Sequence, residues 1–327
     1  MVKNLFIICI ILFLPLISCD IFFRTPFSDD LSFFKDSIDL TEEYGIKGPI
    51  YEANLTVFKD YLILSVREYN SNDKFFIFSK DLDDIILEDT GGMNSFIMED
   101  ASGNFIIGNN YYNSSFGSLG YPGGLDISYD NSYYGFAYNS SNYVLWFDRD
   151  NDRFFYRMYD EFWNTDYTQY DVRTGYRLDL LNAFYDDESG NQKIILFFRT
   201  DDWPHDLHII QIPAEFFKTG LSSYGSYPFG LNSTIITNMD PYDCHPIKYI
   251  TDEGPKDAYI IIEDNGRYLL YNETGEKMAE ASSNVEESIE AYNYEYDYDG
   301  ENVIAVNVDR YILSKHYLRL SKIEAWW

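Results

Sequence analysis

The sequence predicts an all-β fold, and three observations carry that reading. From Tyr51 onward the chain runs as short apolar stretches separated by polar turns. Tyr and Phe, whose rings pack well on a pleated, half-buried surface, number 31 and 25 among 327 residues. Helix candidates are scarce. The segment 20–48 reads as a capped short helix or a loosely packed tether, with Ser28-Asp29-Asp30 at its start and Gly48-Pro49 at its close. Pro213-Ala214-Glu215-Phe216-Phe217-Lys218 has room for a turn or two before Gly220.

Taken in order, the strand signals form units. YLILSV (61–66), KFFIF (74–78) and IIL (85–87) are joined by polar loops of hairpin length. A weaker unit centres on FII (105–107). A third comprises YYGFAY (133–138), YVLWF (143–147) and RFFY (153–156). AFY (183–185), KIILFF (193–198) and LHIIQI (207–212) make a fourth, and AYIII (258–262) with RYLLY (267–271) a fifth. The last contains VIAV (303–306), YIL (311–313) and YLRL (317–320).

With Tyr61, Phe105, Tyr133, Ile194, Tyr259 and Val303 as equivalent marks, the steps are 44, 28, 61, 65 and 44. Their mean near 48 falls within the roughly 40–50 residues of a propeller blade. Runs such as 193–198 and 258–262 are apolar at successive positions, so they are expected to be covered on both faces, as stacked sheets require. The fold expected is a β-propeller of about six blades, closed between the two ends of the chain. The alternative is an antiparallel β-sandwich of two face-packed sheets.

The start of the chain is of another kind. Lys3 is the only charge before Asp20, and the apolar run between them is shorter than the about 20 residues a spanning helix needs. A positive start, a short apolar stretch and a small residue at the cut make a secretory signal. Leu16-Ile17-Ser18-Cys19 resembles the lipobox of bacterial lipoproteins. That resemblance covers residues 1–20 and implies a diacylglyceryl group on the Cys19 sulfur with cleavage just before it. Ile17 is bulkier than the residue usual in that motif. The domain organisation expected is a signal peptide at 1–18, a lipidated tether at 19–48 and the propeller at 49–327. The resemblance places the protein in a bacterial cell envelope, lipid-anchored on the periplasmic face or the cell surface.

Composition narrows the partners. With 24 Lys+Arg against 54 Asp+Glu and a net charge of -30, the chain lacks the basic stripe that nucleic acid requires. Three cysteines are present, and with Cys9 in the signal and Cys19 at the cut only Cys244 remains as an ordinary thiol. No internal disulfide is then available, so the domain relies on its core. Cys244 beside His245 raises a thiol nucleophile, but Pro246 suggests a turn and a packed thiol is the simpler reading.

Among candidate sites, Asp148, Asp150 and Asp152 stand at alternate positions, which suits a hard cation such as Ca²⁺. A polar hairpin turn between Phe147 and Phe154 explains the same residues. Trp203-Pro204-His205-Asp206-Leu207-His208 holds two of the four histidines and would need a third ligand for zinc. Gly117 to Gly124 is glycine-rich without the Lys-Ser/Thr of a phosphate loop, and reads as a surface turn. No nucleophile elbow, dinucleotide fingerprint or cofactor signature is present. The function expected is a membrane-anchored, non-catalytic binding module for a protein or glycan. The alternative is a glycan-acting hydrolase with acids gathered at a propeller channel.

Overall fold

A computed structural model describes residues 34–39, 50–58, 61–68, 74–79, 85–90, 96–108, 110–125, 133–148, 150–151, 153–173, 178–186, 192–219, 233–251, 254–263, 267–282, 293–298, 302–308 and 318–324. The segment expected as a tether supplies a strand, β1 (Phe34–Asp39), in place of the short helix read from sequence. The remaining strands form meanders in which each pairs antiparallel with the next.

One sheet joins β2 (Ile50–Phe58), β3 (Tyr61–Glu68), β4 (Lys74–Ser79) and β5 (Ile85–Thr90). The next joins β6 (Ile97–Glu99), β7 (Phe105–Ile107), β8 (Asn110–Tyr112) and β9 (Ser118–Gly120). A third has β10 (Tyr133–Tyr138), β11 (Ser141–Asp148), β12 (Arg153–Asp160) and β13 (Thr165–Arg173). The fourth has β14 (Leu178–Asp186), β15 (Lys193–Thr200), β16 (His205–Pro213) and β17 (Ser233–Met239), with the short helix α1 (Glu215–Thr219) before its last strand. The fifth runs β18 (Pro241–Thr251), β19 (Gly254–Glu263), β20 (Arg267–Asn272) and β21 (Lys277–Ser282). The last joins β22 (Asn293–Tyr298), β23 (Asn302–Val308) and β24 (Leu318–Glu324), and β1 completes it beside β24. Five sheets have strands of six residues or more, while the β6–β9 sheet has strands of three.

The sheets stand around a ring. First strands meet at β2–β22, β22–β18, β18–β14, β14–β10 and β10–β6. The β2–β5 and β6–β9 sheets share a core of Ile63, Phe75, Ile77, Phe105, Ile107 and Tyr112. The protein is an all-β propeller, not two face-packed sheets. First strands therefore line the centre. The end at which they begin receives the sheet-to-sheet connections and the second turn of each sheet, and is called the entry face below. The first and third turns lie on the opposite, exit face.

Continuous apolar runs follow from this stacking. In β15, Ile194, Leu196 and Phe198 pack toward Leu145, Phe147 and Phe154 of the preceding sheet. Ile195 and Phe197 pack toward Cys244, Tyr259 and Ile261 of the next. A strand buried on both faces keeps its period of two, but both phases are apolar. Helix α1 caps one interface at the exit face end of β16, with Phe217 edge-on to Phe136 and Tyr156. Pro246 does not make a turn. It sits within β18, which among the described strands pairs only with β19, and an innermost edge strand tolerates the missing N–H. The glycine-rich segment contributes β9.

A repeated turn on the exit face was not legible from the apolar marks. Asp100–Asn104, Asn113–Gly117, Asp160–Asn164 and Asn272–Glu276 share one hydrogen-bond pattern. In each, the first side chain's Oδ1 accepts from the N–H groups two and four residues on, at 2.7–3.1 Å. The fourth residue has positive φ: Gly103 at 79°, Phe116 at 58°, Trp163 at 62° and Gly275 at 83°. Aromatic side chains in that region carry a steric cost of roughly 1–2 kcal/mol. Burial and partners offset it at Trp163, which is 3% exposed and donates from Nε1 to Asp100 Oδ2 at 3.3 Å. Gly124 lies against this turn, because a Cβ there would stand 1.7 Å from the Trp163 carbonyl oxygen.

Asp100, 3% exposed, thus links two sheets. It also accepts from Tyr111 Oη and from Asn104 Nδ2, while Ala101 N–H donates to Asn142 Oδ1 at 2.7 Å. Burial, with the Asp100 carboxylate beside it, pushes the Tyr111 phenol up to about 12. Burial and Asp89 push Tyr112 up as well.

Two outcomes follow. Deleting 311–327 removes β24, which holds β1 to β23, so thermal unfolding of the whole domain should lose cooperativity rather than show a frayed end. A truncated protein melting like the full chain contradicts this. A phenol whose pKa is higher folded than unfolded stabilises the fold in full below pH about 10, and that contribution is lost as pH rises toward about 12. Denaturant titrations from pH 8 to 12 should show falling stability, with a shallower fall in Tyr111→Phe.

Candidate functional site

The site begins where β14 and β18 start side by side at the entry face. Asp179 and Arg199 are register partners on β14 and β15, and Arg199 Nη2 lies 3.3 Å from Asp179 Oδ2. Arg199 Nη1 donates to the Pro241 carbonyl of the neighbouring sheet at 3.3 Å. A charge at the end of a doubly buried run is held here by a carboxylate and a carbonyl, because two sheets converge on it.

The second turn of the fourth sheet, residues 201–204, follows β15 just beyond Arg199 and Thr200. It contains a cis Trp203–Pro204 bond, and Trp203 is 77% exposed. The turn is tied down by His205, whose Nδ1 donates to the Thr200 carbonyl at 2.6 Å, and by the Asp206 N–H donating to Thr200 Oγ1 at 2.8 Å. With Nδ1 carrying the hydrogen, His205 Nε2 turns toward Asp240 Oδ1 at 3.8 Å. Tyr242, 39% exposed, follows Asp240 by two residues. In sequence, the two exposed aromatic residues stand two positions outside His205 and Asp240.

Beneath the rim, Asp243 is fully engaged. It accepts from Asn182 Nδ2 at 3.2 Å, from the Cys244 N–H at 2.8 Å and from His245 Nε2 at 2.9 Å. Glu263, 6% exposed, accepts from the Asp240 N–H at 3.3 Å and pairs with Arg267 at 3.0 Å. The Asn182–Asp243 bond crosses from the fourth sheet to the fifth, and Glu263 ties the connection at Asp240 to the fifth sheet.

Several residues nominated by sequence lie elsewhere. Cys19 and Asp152 are outside the described residues. Asp148 and Asp150 sit at the second turn of the third sheet, also on the entry face. Asp148 accepts from Asn151 Nδ2 at 2.7 Å and from the Asn151 N–H at 3.1 Å, and that side-chain bond holds its carboxyl below the usual range. This is a turn geometry, with Asp150 exposed. Cys244 is fully buried between sheets, and burial pushes its thiol up, away from a nucleophile's range. His205 and His208 both lie in β16 rather than a helical turn. Burial lowers His208, with Asp206 opposing. Among the described residues, no group of three His, Cys, Asp or Glu is placed to hold a metal ion.

Sequence reasoning missed Asp179, Arg199, Asp240, Asp243 and Glu263. The available signal was a charge abutting each apolar run, as Arg199 follows IILFF (194–198). Pairing those charges required knowing which sheets are neighbours.

No protein-family model matches the chain, and the comparison with curated proteins gives no match. Among solved structures, BBS1N from its complex with ARL6DN aligns with a TM-score of 0.43 and 8% identity, over 90% of this chain and 96% of that one. An exo-β-1,3-galactanase of Phanerochaete chrysosporium, bound to β-1,3-galactotriose, gives 0.43 and 10% over 88% of this chain and 64% of its own. The SapL1 lectin with alpha methyl fucoside gives 0.43 and 11% over 86% and 98%.

If Asp148 and Asp150 only shape a turn, a chelator should move the melting temperature by no more than about one or two degrees. Ca²⁺ held at 100 times its Kd would add about 2.7 kcal/mol. A large chelator effect that disappears in Asp150→Ala overturns the turn reading.

Proposed function

We propose that this chain is a lipid-anchored protein of the bacterial cell envelope whose propeller binds a ligand, without turning it over, on the face bearing Trp203. The ligand class is a glycan, with a protein segment as the other occupant. Counting the short β6–β9 sheet as a blade, the ring has six. The observation that carries the binding reading is Trp203, 77% exposed on a turn fixed by His205 and Thr200. Phe162 on the exit face is nearly as exposed, at 73%, but Trp203 differs in standing two residues from the polar His205–Asp240 contact, and an aromatic face beside polar groups suits ligand contact. Ring stacking against the apolar side of a sugar, with Asp240 accepting from its hydroxyls, uses what the site presents.

The acids support binding over hydrolysis. Asp179 and Asp243 stand on neighbouring inner strands, as a pair of catalytic carboxylates would. Arg199 engages the first, and Asn182, His245 and a backbone N–H engage the second. Carboxylates committed as acceptors to fixed donors orient the rim.

Screening against immobilised glycans, followed by titration calorimetry, tests the site. Trp203→Ala should weaken binding by about 1–3 kcal/mol, or roughly fivefold to 150-fold, while Glu161→Ala on the opposite face leaves it unchanged. Equal affinity in both variants refutes the proposed face. The anchor is tested separately. Two acyl chains hold a protein stably on a membrane at about 0.8 kcal/mol per buried CH₂. Cys19→Ala should therefore release the protein from the membrane fraction and abolish incorporation of labelled fatty acid, whereas retention there refutes lipidation.

A further inference from the structure

The direction of β1 says which way the propeller faces. β1 pairs antiparallel with β24, β24 with β23, and β23 with β22. Three reversals make β1 run opposite to the first strand of its sheet. Because first strands begin at the entry face, β1 begins at the exit face. The register agrees, since Phe34 stands opposite Ile323 at the far end of β24, and Asp39 opposite Arg319 near its start. The chain coming from Cys19 thus joins the ring at its outer rim, on the side of the Asp100, Asn113, Asp160 and Asn272 turns. Trp203, His205 and Asp240 lie on the other side.

We propose that the exit face of the propeller is the surface turned toward the lipid membrane, which leaves the Trp203 face pointing away from it. This rests on the Cys19 anchor of the preceding reading. Fifteen residues lead from Cys19 to Phe34. At about 3.4 Å each such a length reaches at most about 50 Å, and a random chain of that length averages about 20 Å end to end. The ring is deeper than that average, since the eight residues of β12 span about 26 Å at roughly 3.3 Å each. Turning the entry face to the membrane would require the connecting chain to travel the full depth of the rim before reaching lipid. With the exit face down, the chain meets lipid directly. A ligand bound at Trp203 is then presented outward, clear of the headgroups.

The test uses the full-length lipidated protein in vesicles containing an acceptor dye on a lipid headgroup. One fluorescent label is placed at either end of the same sheet, through Glu161→Cys on the exit face or Asp150→Cys on the entry face, both exposed positions. Cys244 is buried and does not compete for the label. Because the two positions are separated by about 26 Å along β12, energy transfer to the membrane should be roughly twofold or more greater from Glu161→Cys. Equal transfer, or greater transfer from Asp150→Cys, overturns the orientation while fatty-acid labelling of Cys19 keeps the anchor intact. Loss of that labelling, with both proteins still vesicle-bound, overturns the anchor and the orientation together. Neither result depends on whether Trp203 binds a glycan.

Discussion

Ring closure is the constraint on which the other contacts depend. A propeller's sheets bury both faces only if every sheet has two neighbours, and an open ring would leave two apolar faces and their strand edges in water. Here the first described strand, β1, completes the sheet made by the last three. Residues almost 300 positions apart in sequence are thereby hydrogen-bonded, so the ends of the domain hold each other. The doubly apolar β15 and β19 are stable only inside such a closed arrangement.

Closure also explains where polarity is allowed. Between sheets the described core is nearly all aromatic and aliphatic, and polar groups there are tied to specific donors. Asp100 is the clearest case, since its carboxylate serves its own turn, the Tyr111 phenol and the indole of the adjacent sheet. A buried carboxylate with that many donors fixes how two sheets meet, whereas an apolar contact would tolerate sliding. The same logic recurs at the entry face, where Arg199 bridges Asp179 and the Pro241 carbonyl. At both places one charged side chain sets the register between sheets that share no ladder.

The functional reading follows from the asymmetry between the two faces. The exit face carries four copies of one tight turn whose side chains bond to their own backbone. The entry face around β14 and β18 carries an exposed indole and acids arranged by cross-sheet contacts. Since β1 enters from the exit side, the proposed anchor and the proposed binding site would fall on opposite sides of the ring. A rim charge pair and a braced aromatic residue suit a surface that holds a ligand without reorganising.

The sequence by itself determined the strand content, the doubly buried runs, the short helix at Glu215–Thr219 and a unit length near 48, because these depend on local apolar period and turn chemistry. Five of the six marks chosen from sequence fall on second strands. Tyr133 falls on a first strand, and replacing it by Ser141 makes the starts of the second strands Tyr61, Phe105, Ser141, Lys193, Gly254 and Asn302, with steps of 44, 36, 52, 61 and 48. The error arose because YYGFAY is as apolar as a central strand, while its innermost position is set by packing against Phe96 and Met98. Residues 34–39 were unreadable as a strand for a related reason. FKDSID is short and polar, and only the free edge of β24 gives it a partner. Pro246 looked like a turn because its tolerance depends on having no neighbour on one side, which is a property of the ring. The tertiary structure alone decided that Arg199, Asp179, Asp240 and Asp243 share a site. Their sequence separations of up to 64 residues carry no pairing information until adjacent sheets bring the strand ends together.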